Sequence, residues 1–185
     1  MIILCSGSST RALLLKKAGI DFIQKSCEFD EESIKSRDPY EFVTLAAYGK
    51  FTACRGCFSD EDIIAADTVV SDGKSILRKA KDLNDAKRIL LAQSGKKIRI
   101  ITSMWVRFNL RVFSRLDETV YEFGEFDEKD LNEYLASGEW KGKAGACMVE
   151  GFCKKYIKNV QGYESTAMGL CVEELLKIIG EENVN

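Results

Sequence analysis

The chain has 185 residues, 45% of them hydrophobic and 30% charged, so it is long enough to bury a core of its own. Its formal net charge of −2 gives no general attraction to nucleic-acid polymers or anionic membranes. The chain contains no histidine, which excludes a histidine base, a histidine metal ligand and a Ser-His-Asp triad. No apolar run is long enough for a signal peptide or a membrane span, so we expect a cytoplasmic protein.

The first predicted elements are a short strand, Ile2 to Cys5, and a helix, joined by a serine- and glycine-rich loop. Helix N-termini hold anions through their unpaired amides. The hydroxyls of Ser6 and Ser8 and the guanidinium of Arg11 add further donors, so the loop suits a phosphate group. The same residues also fit an ordinary helix start, with Ser8 or Ser9 as the N-cap and Arg11 as a solvated charge.

Strand and helix patterns then alternate along the chain. A short strand is predicted from Asp21 to Lys25, and Asp38-Pro39 is a strong helix start, with Lys50 near the end of that helix. The later elements are a buried strand Ile63–Val70, a turn at Asp72-Gly73, a helix from Asp82 to Gly95, a strand Ile98–Phe108, one or two strands in Arg111–Phe123, a helix from Asp127 to Gly138, two glycine-punctuated strands and a last helix with Leu170, Leu175, Leu176 and Ile179. This order predicts an α/β protein with a mixed sheet.

Asp67 is the first candidate for catalysis, because it interrupts an apolar strand. A carboxylate there is costly unless it is paired, hydrogen-bonded or bound to a metal, and such surroundings can tune it as a general base. The alternative is a strand end at which Asp67 caps a turn. Thr68 next to it is an ordinary β residue by propensity.

Charged residues elsewhere could complete a site around Asp67. Glu31 lies in an acidic run, which is either a solvated loop or the source of a second carboxylate for a divalent cation. Without histidine, oxygen ligands point to Mg²⁺ or Mn²⁺. Lys50, Lys79 and Lys81 are each simply explained as surface lysines, but with Arg11 they could form a triphosphate cradle.

The seven cysteines cannot all pair within the chain, and a chain of this length needs no disulfides for stability. Cys54 and Cys57 form a C-x-x-C, but neither a second such pair nor a histidine completes a common zinc site. We therefore expect reduced, metal-free thiols at the end of a helix.

Taken in order, these segments resemble the Maf family, also called the septum-formation-inhibitor family, over nearly the whole chain. The matching segments are Leu4 to Arg11 for L-A-S-x-S-P-R-R, Asp30-Glu31 for D-E, Leu45-Ala46 with Lys50 for L-A-x-x-K-A, Ala66 to Val70 for A-D-T-V-V, Lys79 for the lysine of G-K-P, Ser94-Gly95 with Thr102 for S-G-x-x-H-x-V-x-T, Ser137 to Glu139 for S-G-E, Lys143 to Ala146 for K-A-G-A and Gly169-Leu170 for G-L-P.

This chain also departs from the family pattern. Thr10 replaces the first arginine of the pair, which removes one cation, and Gly142 replaces the aspartate before K-A-G. Glu150 replaces the glutamine of I-Q-G and brings a negative charge towards the expected nucleotide. These changes bear on substrate choice and on turnover.

The resemblance implies an elongated mixed β-sheet flanked by helices, similar to inosine triphosphatases, with two lobes around a deep cleft in a single domain over 1–185. It implies a nucleotide pyrophosphatase, often a homodimer, that converts a nucleoside triphosphate to the monophosphate and pyrophosphate, and the A-D-T form is similar to the branch acting on dTTP and UTP. It implies catalytic roles for Asp67, Lys50 and Lys79, substrate binding by Ser6, Ser8, Arg11, Thr68 and Glu150, and a divalent cation on Glu31 and Asp67. The alternative is a nucleotide-binding regulator of cell division with impaired turnover.

Overall fold

A mixed β-sheet forms the centre of the computed structural model, which describes residues 2–184. Its strands are β1 (Ile2–Cys5), β2 (Phe22–Lys25), β3 (Asp62–Ser71), β4 (Ile76–Leu77), β5 (Lys97–Phe108), β6 (Arg111–Phe123) and β7 (Ile157–Gln161). The helices are α1 (Ser9–Lys17), α2 (Pro39–Cys57), α3 (Leu83–Leu91), α4 (Glu128–Ser137), α5 (Glu164–Ala167) and α6 (Val172–Val184). Short 3₁₀ segments occur at Glu31–Ser33, Ala144–Ala146 and Phe152–Tyr156.

The sheet has the strand order β2-β1-β3-β5-β6-β7, and β4 pairs with β3. Strands β1, β2 and β3 are parallel, as expected for strands connected through helices, whereas β3, β5, β6 and β7 pair antiparallel. The α/β class and the mixed sheet flanked by helices are therefore confirmed. The division into two lobes stays a prediction.

One edge of β3 has a gap in its pairing. On that edge, β1 pairs only with Asp62–Ile64, and β4 pairs only with Val70 and Ser71. The opposite edge is paired with β5 from Ile63 to Ser71. The middle of β3, including Asp67 and Thr68, therefore borders an opening in the sheet.

Helix α2 covers the sheet beside this gap. Asp38 caps it by accepting hydrogen bonds from the amides of Tyr40 and Glu41, with Pro39 in the first turn. The prediction that this helix ends near Lys50 is wrong, because the helix continues to Cys57. Its last turns bury Phe51 and Cys54 against the sheet, and this packing extends the helix.

The other face of the sheet is covered by α1 and α6, with Leu15 and Leu175 fully buried. The last predicted helix is found, but it begins at Val172, after Leu170. Asp127 and Gly138 bound α4 as predicted, with the glycine in the left-handed conformation. In the described part of the chain, no helix has the length and apolar character needed to cross a bilayer.

Two further sequence predictions are wrong. The region after Gly138 contains 3₁₀ turns and a single strand, β7, instead of two strands, because positive φ angles at Gly142, Gly145 and Ala146 interrupt any extended run. Cys54 is not a reduced thiol: it forms a disulfide with Cys5 across a Cα–Cα distance of 6.4 Å. Their separation of 49 positions in the sequence concealed this pair.

Candidate active site

A cleft of about 500 Å³ opens at the gap in the sheet. Segments that are distant in the sequence contribute to its walls: the β1–α1 loop, α2, β3, the stretch after β4, the turns around residue 145 and the approach to α6. Eight of the nine predicted site residues line the cleft: Ser6, Ser8, Arg11, Lys50, Asp67, Thr68, Lys79 and Glu150. The ninth, Glu31, contacts the cleft residue Lys50.

Lys50 connects two carboxylates at the centre of this cleft. Its Nζ lies 2.7 Å from Glu31 Oε1 and also contacts Asp67 Oδ1. Asp67 is only 7% exposed, so its charge is compensated by this ammonium group and not by bulk water. The polar partner of Asp67 thus accounts for its place in an apolar strand, and the turn-capping alternative is wrong.

The surroundings of Glu31 favour its ionised form. Burial raises the pKa of Glu31, but the hydrogen bond and charge of Lys50, with the charges of Lys79 and Arg11, outweigh it and hold the pKa below its ordinary value. Glu31, on a short 3₁₀ turn capped by Asp30, therefore reaches the cleft through its ion pair with Lys50.

The β1–α1 loop has the geometry of an anion site. Ser8 is the N-cap of α1, accepting from the amide of Arg11 at 3.3 Å, and Ser6 Oγ accepts from the Ser8 amide at 3.2 Å. Both hydroxyls act as acceptors in these contacts, so their hydrogens remain available to an anion. Gln24, which the sequence did not single out, donates to the carbonyl oxygens of Ser6 and Ser8 at 2.7 and 3.2 Å and fixes the loop. The cap and the phosphate-site interpretations of this loop are thus compatible.

Three fixed acceptors orient the guanidinium of Arg11. Its Nε donates to the carbonyl oxygen of Gly169 at 2.7 Å, Nη1 to Ser6 Oγ at 3.1 Å and Nη2 to Thr68 Oγ1 at 3.2 Å. Burial lowers the pKa of Arg11, and the charges of Asp67 and Glu31 oppose this shift. A guanidinium keeps its charge at physiological pH, so Arg11 is a cation held in one orientation at the cleft wall.

A chain of threonine hydroxyl groups, which leads from the cleft into the interior, supports Arg11. Thr102 Oγ1 donates to the carbonyl oxygen of Thr166 at 2.7 Å and lies 2.9 Å from Thr68 Oγ1. Since the one hydroxyl hydrogen of Thr102 is used on Thr166, Thr68 must donate to Thr102. The bonds therefore run in one direction, from Arg11 to Thr68, Thr102 and Thr166. Thr102 stood in a motif, but its sequence position gave no sign of this contact.

The remaining predicted residues line the outer parts of the cleft. Lys79 is exposed, and Glu150 is half-buried, 3.9 Å from Lys143 Nζ through its Oε1. Val70, Ile100 and Val149 supply apolar surface to the same cleft. The cleft thus combines cationic groups with an apolar wall, which suits a ligand with both a polyphosphate and a ring.

The donors at the centre fit a divalent cation of the Mg²⁺ type. Such ions are commonly bound through one or two carboxylates together with phosphate oxygens, and Glu31 and Asp67 supply two carboxylates that already share a cationic group. Within residues 2–184, no group of three or more Cys, Asp or Glu side chains is arranged to hold a metal by itself. Any ion here would need oxygens from its ligand.

Comparisons with known proteins agree with this architecture. A protein of a Nitratiruptor species named nucleoside triphosphate pyrophosphatase is 54% identical over 96% of this chain and 98% of its own length. Proteins of the same name from Helicobacter pylori (strain J99) and Campylobacter jejuni (serotype O:6) are 42% and 39% identical, each over 95% of this chain and over 93% and 98% of their own lengths. The family model described as Maf-like protein matches residues 1–182. The chain therefore belongs to the Maf family.

Proposed function

We propose that this protein is a nucleoside triphosphate pyrophosphatase, which cleaves between the α and β phosphates to release the monophosphate and pyrophosphate. The observation that carries this proposal is the contact of Lys50 with both Glu31 and Asp67 beside the serine–arginine loop. A buried carboxylate, a fixed arginine and a helix N-terminus are the groups that hydrolysis of a phosphoric anhydride requires. The name shared by the relatives supports the same reaction.

In this proposal Asp67 is the base. Its carboxylate accepts a proton from a water molecule, and the water oxygen forms a bond to the α phosphorus while the bond to the bridging oxygen breaks. The pyrophosphate leaves with the electron pair of that bond. Lys50 orients the Asp67 carboxylate through their ion pair, so the base points in one direction before substrate arrives.

The cationic side chains stabilise the charge that develops on the leaving group. Arg11 is pre-oriented by Gly169, Ser6 and Thr68 and needs no reorganisation, whereas exposed Lys79 can follow the phosphates. The hydroxyls of Ser6 and Ser8 and the first amides of α1 would bind phosphate oxygens. Glu31 and Asp67 would hold a Mg²⁺ or Mn²⁺ ion, which when bound polarises phosphate oxygens and neutralises part of their charge.

We further propose that dTTP and UTP are the preferred substrates. The support for this finer statement is the A-D-T form of the β3 segment together with the mixed lining of the cleft beyond it. Thr68 accepts a hydrogen bond from Arg11, so in this proposal it influences substrate choice by orienting the Arg11 guanidinium. Glu150 and the apolar residues Val70 and Val149 are available to the nucleoside portion.

A regulator without turnover is the second candidate, and Glu150 is the observation in its favour, since a carboxylate in the cleft opposes a polyanion. The ion pair of Glu150 with Lys143 reduces the repulsion between this carboxylate and a polyanion. The base, its lysine partner and the oriented arginine are all present, and a protein that only bound nucleotides would not need them in contact. We therefore favour the enzyme.

The experiment is a panel of dTTP, UTP, CTP, ATP and GTP with Mg²⁺ or Mn²⁺, with separate detection of pyrophosphate and orthophosphate. We expect pyrophosphate from the pyrimidine nucleotides and its loss when the metal is chelated. Orthophosphate as the product would contradict the proposed reaction. Equal rates for all five nucleotides would contradict only the proposed preference.

The role of Asp67 has a matched control. Asp67→Asn keeps the side-chain shape but removes the base and one ligand charge, and should lower kcat by at least about a hundredfold. Asp60→Asn, in the exposed loop before β3, should keep wild-type turnover. A fully active Asp67→Asn would assign the base elsewhere.

A further inference from the structure

Four of the seven cysteines gather at one end of β1 and α2, and we refer to them as the cysteine cluster: Cys5, Cys27, Cys54 and Cys57. The disulfide between Cys5 and Cys54 is buried. Cys27 Sγ lies 3.5 Å from Cys54 Sγ, and the neighbouring Cys57 thiol contributes to a raised pKa of Cys27. Cys57 is exposed at the last residue of α2. The cysteine cluster therefore extends from the buried disulfide, through half-buried Cys27, to exposed Cys57.

The disulfide joins two of the elements that contribute to the candidate active site. Cys5 immediately precedes Ser6 of the β1–α1 loop, and Cys54 lies one helical turn beyond Lys50. The bond thus fixes the end of β1 against the helix that holds Lys50. Any change in its pairing alters the restraint between the loop and Lys50.

We propose that the cysteine cluster is a thiol–disulfide exchange site, which passes the buried disulfide stepwise to the exposed end of α2. Seven cysteines in a chain that does not need disulfides for stability, with a free thiol beside a disulfide, fit a reversible bond better than a permanent one. The proposal concerns the thiol chemistry and does not depend on the proposed hydrolysis.

The exchange proceeds in two balanced steps. The thiolate of Cys27 attacks Cys54 Sγ, so a Cys27–Cys54 bond forms and the Cys5–Cys54 bond breaks, leaving Cys5 to take up the proton that Cys27 released. The thiolate of Cys57 then attacks Cys27 Sγ and frees Cys54 as a thiol. No electron is gained or lost by the protein, and the resulting Cys27–Cys57 disulfide is open to a dithiol reductant from solvent.

Before exchange begins, Cys27 is a protonated thiol beside the Cys5–Cys54 disulfide. Burial first, and then the hydrogen bond with Cys57, raises the pKa of Cys27 to about 11. Because the thiolate is the attacking species, internal exchange at neutral pH is slow. The Cys5–Cys54 bond should therefore persist until a reductant removes the exchange product from the surface.

Disulfide mapping tests the proposal. The folded protein is equilibrated with a buffer of oxidised and reduced glutathione, quenched with acid, alkylated and analysed by peptide mass spectrometry. Among wild-type molecules with one disulfide, we expect some to contain Cys5–Cys54 and others Cys27–Cys57, the latter with Cys5 and Cys54 as free thiols. We expect Cys57→Ser to contain Cys27–Cys54 in place of Cys27–Cys57. In Cys27→Ser, only Cys5–Cys54 should be found.

Reduction kinetics supply a second readout. Dithiothreitol should reduce Cys5–Cys54 at least about tenfold more slowly in Cys27→Ser and Cys57→Ser than in the wild type. The reason is that burial blocks direct attack of dithiothreitol on this bond, and each variant removes one step of the internal exchange. Gly56→Ala is the control, because a Cβ at this helical position meets no atom within 4 Å and both thiols remain.

Four results would overturn the proposal. The first is equal reduction rates in all variants, and the second is a wild type that never contains any bond other than Cys5–Cys54. The third is protein whose four thiols stay reduced in oxidised glutathione. The fourth is a tightly bound zinc ion, which would make the cluster a metal site instead.

Discussion

The Nε hydrogen of Arg11 is donated to the carbonyl oxygen of Gly169 at 2.7 Å, although the two residues are 158 positions apart. This bond joins the β1–α1 loop at the start of the chain to the segment that leads into α6. Gly169 has a φ of +109°, a conformation that side chains with a Cβ rarely adopt. The orientation of Arg11 therefore depends on a backbone carbonyl that only glycine presents in this way.

Gly169→Ala should weaken both stability and substrate binding. The new Cβ would lie 3.2 Å from Arg11 Nε and 3.3 Å from Thr68 Oγ1, and the backbone strain adds about 1–3 kcal/mol to the cost. We expect a lower free energy of unfolding in urea and a raised KM, as Arg11 shifts. Gly180→Ala is the control, because its Cβ meets open space on α6 and should leave both quantities at or above wild type. Identical behaviour of the two variants would contradict the role of Gly169.

Thr102→Val should disturb Arg11 without touching the cleft surface. The substitution keeps the side-chain shape but leaves the carbonyl oxygen of Thr166 and the hydroxyl of Thr68 without their buried partner, at about 1–3 kcal/mol. We expect reduced stability and an increased KM with a smaller change in kcat, because Arg11 is held by Thr68 and is proposed to bind phosphate. Thr102→Ser restores the hydroxyl and should recover the wild-type KM. If serine and valine give the same KM, the hydroxyl chain does not position Arg11.

The pH dependence of stability should report the ion pair of Glu31. Because the folded pKa of Glu31 is lowered, this group contributes stability above its ordinary pKa of 4.5, and that contribution is lost as the pH falls towards the folded value. Glu31→Gln should therefore show a smaller loss of unfolding free energy than the wild type between about pH 7 and about pH 3.5. Glu32→Gln, which changes an exposed neighbour, should retain the wild-type profile. Parallel profiles for wild type and Glu31→Gln would show that Lys50 does not stabilise this carboxylate.

The sequence was sufficient for the elements whose signals are local. Caps such as Asp38 and Asp127 and the apolar run around Asp67 predicted helices and a strand correctly, since capping and alternation act over a few residues. The fold also brings the candidate residues that line the cleft together, as the order of the motifs implied.

Contacts between distant segments could not be predicted in this way. The hydrogen bond from Gln24 to the loop and the Cys5–Cys54 disulfide depend on which surfaces of β2, β1 and α2 meet. The sequence predicts an end of α2 that is too early for the same reason, because burial of Phe51 against the sheet, and not a local stop signal, decides how far the helix extends.

Glu150→Gln should change substrate preference. An ionised carboxylate only accepts hydrogen bonds, whereas an amide both donates and accepts, and the carbonyl groups of uracil and thymine need a donor. Lys143 lies 3.9 Å from Glu150 and the pair is half-exposed, so its attraction offsets only part of the repulsion between the carboxylate and a polyanion. We expect a lower KM for dTTP or UTP in Glu150→Gln and an altered ratio of kcat/KM among the nucleotides. Glu128→Gln on α4 serves as the control, with all ratios unchanged. If Glu150→Gln also leaves every kcat/KM at its wild-type value, Glu150 does not face the bound nucleotide, and the preference must come from other groups of the cleft.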